Sequence, residues 1–141
     1  MIKLKTLLTE ISNALNPALS FDVMRQFKSV VGYHASESPD FIPNDALPLH
    51  IGSKQQSLAL INNMNRAYGK KPYYLYQMTA DISSLSPILY DEDPKDEIKS
   101  GKYDSYAYTN RIEYPQGIRQ GDNISIVLTK PSKQITSIKK L

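Results

Sequence analysis

The sequence predicts an α+β fold, and three observations carry that prediction. Apolar residues recur at helical spacing near the start of the chain and again after Ser53. Short runs rich in Val, Ile and Tyr, bounded by Gly, Pro, Asn and Asp, read as strands. These strands do not alternate regularly with helices, as a parallel α/β sheet would require.

In order, Ile2, Leu4, Leu7, Leu8, Ile11 and Leu15 form an amphipathic stripe that predicts a helix ending near Asn16-Pro17. Ser20 or Asp22 is placed to cap a second short helix through Val23, Met24 and Phe27. Ser29 to His34 reads as the first strand, with Gly32 permitting a close backbone approach. Residues Glu37 to Pro48 form a loop, and Leu49 to Gly52 a second, short strand. Ser53 caps a helix carrying Gln55, Leu58, Ala59, Ile61 and Met64, which stops near Tyr68-Gly69 with Lys70 and Lys71 beyond.

Pro72 to Asp81 is a strand with Tyr74, Tyr76 and Met78 on one face. Ser86 to Leu89 leads into a solvated loop of mixed charge, Asp91 to Lys99. Gly101 to Asp104 is a turn, Ser105 to Asn110 a strand, and Pro115-Gln116-Gly117 another turn. Asn123 to Thr129 is the clearest strand, broken by Pro131, and Gln134-Ile135 leads to a basic tail.

The chain has 141 residues, a length that one domain fills and that buries a core without staples. With no cysteine, disulfides, thiolate metal sites and cysteine nucleophiles are excluded. The formal charge of +3 is compatible with a phosphate-bearing ligand without specifying one. No apolar run approaches the roughly 18 residues of a membrane span. Residues 1–15 lack the pattern of a signal peptide, so the cytoplasm is the expected location. There is no phosphate-binding Gly-x-x-x-x-Gly-Lys loop, no dinucleotide Gly-x-Gly-x-x-Gly and no Gly-x-Ser-x-Gly elbow.

The chemistry concentrates on the only two histidines, His34 and His50. Each ends or occupies a short strand and is followed by a small residue and a serine: Gly32-Tyr33-His34-Ala35-Ser36 and Leu49-His50-Ile51-Gly52-Ser53. Without acidic residues fixed beside them they make a poor metal site, and none is predicted. An imidazole at a strand end can hydrogen-bond a sugar hydroxyl while the neighbouring backbone holds a planar amide. Further on, Tyr108-Thr109-Asn110-Arg111-Ile112-Glu113 sets a carboxylate before a turn.

These pieces, with Tyr74 to Met78 and Ser125 to Leu128 followed by Pro131 and Gln134-Ile135, resemble in order and spacing the ADP-ribosyltransferase fold. The likeness is to the small forms of phage and bacteria, related to the His–Tyr–Glu set, and covers residues 30–138. It implies two small sheets split around a cleft, with N-terminal helices in residues 1–28 and the ADP-ribosyltransferase-like domain in 29–141. It further implies NAD held by Gly32, Tyr33, His34, Ala35, Ser36, His50, Gly52, Ser53, Tyr108 and Asn110. His34 would contact a ribose. Glu113 would act with it, stabilising the positive charge that grows on the sugar as nicotinamide leaves.

The sequence departs from that pattern at two places. His50 stands where the subfamily has its tyrosine. The start of the last long strand, Gly121 to Ser125, carries no glutamate, so that Glu113 or Asp122 substitutes or the domain is not catalytic. The expected activity is NAD-dependent mono-ADP-ribosyl transfer to a protein or nucleic-acid acceptor of a host. The alternatives are an inactive relative that binds and inhibits a host protein, and a virion-associated protein docking through residues 1–15.

Overall fold

A computed structural model describes residues 13–17, 19–69, 72–111 and 123–141. The predicted helix over residues 2–11, Lys70, Lys71, the Pro115-Gln116-Gly117 turn, Glu113 and Asp122 lie outside the described residues. The fold is α+β, with few helices and two small, mostly antiparallel sheets.

The described elements run as follows: α1 (Phe21–Met24), β1 (Ser29–Ser36), β2 (Leu49–Ile51), α2 (Lys54–Tyr68), β3 (Tyr74–Asp81), β4 (Leu85–Tyr90), α3 (Lys95–Ile98), β5 (Ser105–Thr109), β6 (Ile124–Leu128), α4 (Pro131–Gln134) and β7 (Ile135–Lys140). One sheet has the order β1-β3-β7 and the other β2-β6-β5-β4. Among the described residues all pairings of named strands are antiparallel except β4 with β5. A parallel pair needs a crossover, since a tight hairpin can only reverse the chain. That crossover is the segment 91–104, and it carries α3.

Several predicted elements are present. Ser20 caps α1 by accepting from the Val23 backbone N–H, and Asp22 lies inside the first turn. Ser53 caps α2, which ends at Tyr68 with Gly69 as C-cap. On β3, Tyr76, Met78 and Ala80 are buried and their neighbours half-exposed, the period-2 pattern of a strand covered on one face.

Other expectations are corrected. The end of the predicted first helix is not helical: Ala14 bridges Val31, with Leu15 N–H donating to the Val31 carbonyl and Val31 N–H to that of Asn13. Here edge pairing with β1 overrides the helical period. Residues Leu85 to Tyr90 form a strand and not merely a lead-in to a loop, because Pro87 sits on an edge strand that tolerates a missing N–H. The Asp91–Lys99 loop contains a helical turn. Pro131 ends β6 but also opens α4, at the position where a missing N–H costs nothing. The basic tail is the edge strand β7, paired with β3 from Ile135 to Lys140.

Helix α2 also differs from its predicted face. Its deepest residues are Gln56 and Ser57, while Gln55 and Leu58 are exposed. The apolar core lies elsewhere, where Val30, Met78 and Ala80 of one sheet and Ile51, Ala107, Ile126 and Leu128 of the other join Leu15, Leu19 and Met24. Among the described residues no helix is long and apolar enough to cross a membrane.

The sheets meet where β1 passes β2. Tyr33 and Gly52 exchange two backbone hydrogen bonds, of 2.8 and 3.0 Å. Gly32 allows this approach, for a Cβ there would stand 2.8 Å from Ile51 Cδ1 and 3.0 Å from Ile51 Cβ. Overpacking of this kind costs about 1–3 kcal/mol. Gly32→Ala is therefore expected to lower unfolding free energy by about 2 kcal/mol, read as a lower urea midpoint at unchanged slope.

Candidate functional site

Both histidines come to the seam between the sheets. His34 lies in β1 opposite Tyr76 and His50 in β2 opposite Val127. Nδ1 of His34 is 2.9 Å from the His50 carbonyl oxygen. A carbonyl only accepts, so in the neutral ring Nδ1 carries the proton and Nε2 is left as an acceptor. Phe41 packs on the imidazole at 5.0 Å between centroids, and Tyr76 lies behind it at 5.5 Å. The Tyr76 hydroxyl donates to the Ser38 carbonyl and accepts from the Phe41 N–H, tying the 37–48 loop over this face.

Tyr33, His34, Ala35, His50 and Gly52 line a small cavity of about 50 Å³, completed by residues of α2 and by Ser125. Gly32 is not among the lining residues; it faces Ile51, which is. Ser36 accepts from the Ser38 N–H at the end of β1, and Ser53 serves α2.

Beneath this cavity is a buried amide network that sequence reasoning missed. Ser53 and Gln56 form a reciprocal capping box, in which Ser53 Oγ accepts from the Gln56 N–H and Gln56 Oε1 from the Ser53 N–H. The Gln56 amide also donates to Asn123 Oδ1 at 2.6 Å and to the Ile124 carbonyl at 3.1 Å. Ser125 Oγ donates to Gln56 Oε1 and accepts from the Asn110 amide. Asn123 Nδ2 in turn donates to the Asn110 carbonyl, whose residue pairs by its N–H with the Asn123 carbonyl at 2.7 Å. A Cβ on Gly52 would collide with the Gln56 amide, so this glycine makes room for the network. The spacing Ser53-x-x-Gln56 was the signal for the box; its partners on β5 and β6 had none.

His50 also faces a second, larger cavity of about 830 Å³. Its Nδ1 is 2.8 Å from the Tyr108 hydroxyl and the two rings meet edge to face. Its Nε2 is 3.8 Å from Asp93 Oδ2. Tyr90, Asp93, Tyr108, Asn110 and Arg111 share the wall of that cavity with His50. Of the predicted site, this cavity thus gathers His50, Tyr108 and Asn110, and Asp93 comes from a stretch assigned to solvent.

No protein-family model, curated protein or solved structure matches this chain. The chemistry of the seam is therefore argued from its own geometry. Among the described residues no group of three or more His, Asp or Glu is placed to hold a metal ion. Burial lowers the pKa of both histidines. At His34 the His50 carbonyl opposes the shift and the charge of His50 adds to it. At His50 the Asp93 carboxylate opposes it and Lys95 adds to it. The site thus offers neutral imidazoles near neutral pH.

Two expectations follow. Gln56→Ala removes the acceptor of the buried Ser53 N–H and of the Ser125 hydroxyl proton, and is expected to lower stability by roughly 3 kcal/mol in urea unfolding. The histidines give stability a pH dependence whose sign is fixed. A folded-state pKa below the ordinary 6.5 means that the unfolded chain binds more protons, so the contribution is complete above pH 6.5 and is lost as pH falls toward the folded value. Unfolding free energy should fall between pH 7 and 5, and His34→Gln should flatten that slope in urea titrations at each pH.

Proposed function

We propose that this chain is an NAD-dependent mono-ADP-ribosyltransferase of the small phage and bacterial kind, acting on a protein or nucleic-acid acceptor. The observation that carries the reading is the placing of His34 at the seam of two sheets, with Nδ1 fixed by the His50 carbonyl. That hydrogen bond leaves Nε2 as the acceptor for a ribose hydroxyl. The order of parts supports the same reading: a histidine-bearing strand, a short strand in the second sheet, and a helix opening at once at Ser53.

In this scheme the nicotinamide ribose lies against His34, which accepts from a hydroxyl and fixes the sugar. The backbone of Ala35 beside His34 holds the nicotinamide amide, since the Tyr33 N–H and carbonyl are both bonded to Gly52. As the bond to nicotinamide lengthens, positive charge grows on the sugar, and an aimed carboxylate stabilises that state more than the substrate. Glu113 is assigned this role. In the sequence it follows by two residues Arg111, which lines the larger cavity.

The test is incubation with NAD labelled on the adenylate portion, alone and with host lysate. Label is expected on macromolecules, with a fall of about 10²-fold in His34→Ala, the scale of one oriented transition-state hydrogen bond, and a similar or larger fall in Glu113→Gln. Intact NAD after prolonged incubation, together with a stable complex in pull-down, would instead favour a binding protein that inhibits its host target.

A further inference from the structure

His50 belongs to the walls of both cavities. Nδ1 is held by the Tyr108 hydroxyl at 2.8 Å, while Nε2 faces Asp93 Oδ2 at 3.8 Å, beyond hydrogen-bond reach. A ring held in this way is poorly placed for a merely stacking role, and its geometry is that of a proton-transfer group with an aligning partner on either side. Asp93 has a further feature: its Oδ1 is buried and makes no hydrogen bond, although Oδ2 faces the imidazole.

We propose that His50 is the general base that deprotonates the acceptor entering through the larger cavity, with Tyr108 and Asp93 as its positioning residues. This rests on the NAD-dependent reading of the seam and adds the class of acceptor. In the working tautomer Nδ1–H donates to the Tyr108 hydroxyl and Nε2 is free to accept. The acceptor's nucleophilic atom forms a bond to C1 of the nicotinamide ribose. The C1–N bond breaks, and its electron pair leaves with nicotinamide. The acceptor's proton passes to Nε2 of His50, and the Asp93 carboxylate faces the imidazolium that results.

A base is needed only for a nucleophile that carries a proton, such as a hydroxyl, an amide or a guanidinium; a carboxylate needs none. The cavity wall points the same way. Asp91, Glu92, Asp93, Asp96 and Glu97 outnumber Lys95 and Arg111, so an anionic acceptor meets repulsion. The acceptor is therefore a neutral or cationic, proton-bearing nucleophile.

The groups acting on the His50 ring are Asp93 and Lys95 from the crossover, Tyr108 from β5 and His34 from β1. Asp93 favours the protonated ring, while burial and Lys95 disfavour it. The acid limb of the rate profile therefore lies below the ordinary 6.5 and moves lower still when Asp93 is neutralised.

The experiment measures transfer from NAD to N-acetylarginine amide, N-acetylserine amide and N-acetylglutamate amide by mass spectrometry, with NAD hydrolysis followed in parallel. His50→Gln should lower transfer about 10²-fold or more, the scale of general-base catalysis, with the KM for NAD little changed. Asp93→Asn should shift the acid limb of kcat/KM to lower pH, which a purely structural role would not do; Asp22→Asn, on α1, is the control. Should His50→Gln not fold, Tyr108→Phe removes the Nδ1 partner and keeps the ring, and should slow transfer about 10-fold. Transfer that is unaffected in these variants, or fastest to the glutamate amide, overturns the proposal while leaving NAD chemistry intact. A wild-type protein that consumes no NAD with any acceptor overturns both readings.

Discussion

The two hydrogen bonds between Tyr33 and Gly52 join sheets whose described strands otherwise pair within each sheet. A sheet of three or four short strands is marginal alone and must bury one face against another layer. Here the faces meet through Val30, Met78 and Ala80 on one side and Ile51, Ile126 and Leu128 on the other. The register of that meeting is set at one point, the seam. A slip of one residue there would turn the side chains of β1 to the opposite face and carry His34 away from the His50 carbonyl. The same contact thus sets both packing and the candidate site.

Apolar burial and polar satisfaction contribute differently. Side chains such as Ile51, Met78, Ile126 and Leu128 are almost wholly buried, and each stabilises by roughly 1.5–3 kcal/mol. Any of several compact arrangements would gain a similar sum. The Gln56 network adds only about 1 kcal/mol per bond, but losing a partner leaves buried groups unsatisfied at about 1–3 kcal/mol each. It therefore discriminates between arrangements more than it stabilises one. Its members join the start of α2 to the end of β5 and the start of β6, and Asn110 and Asn123 close the chain on either side of the segment that contains Glu113.

What was legible in the sequence was local. Ser20 and Ser53 announce helices because a cap acts over three residues. β1, β3, β5 and β6 are legible because β-branched and aromatic runs favour a half-covered or covered sheet. The missed strands, β4 and β7, are edges, where Pro87 and the terminal lysines are permitted because only one side pairs. Asp93 was illegible for a non-local reason: the parallel pairing of β4 and β5 throws the 91–104 crossover beside His50, and no spacing along the chain encodes that. The pairing of the two histidines was legible only as a similarity of framing. That His34 would bond the His50 carbonyl depends on the splay between β1 and β2.

The protonation state of the pair then bears on what the seam can do. An imidazolium about 5 Å from a sugar acquiring positive charge would oppose it by about 3 kcal/mol at an effective dielectric near 20. Burial makes that state costly at both histidines, and each ring uses a nitrogen on a protein oxygen. His34 is held by a backbone carbonyl and has no carboxylate among the groups shifting its pKa, which favours the neutral ring that the proposed ribose contact needs. His50 has Asp93 beside it, which in the proposed reaction lets it take a proton once the acceptor has attacked. Two residues that look alike in the sequence are thus set apart by one carboxylate, which in the proposed reaction suits one to binding the sugar and the other to moving a proton.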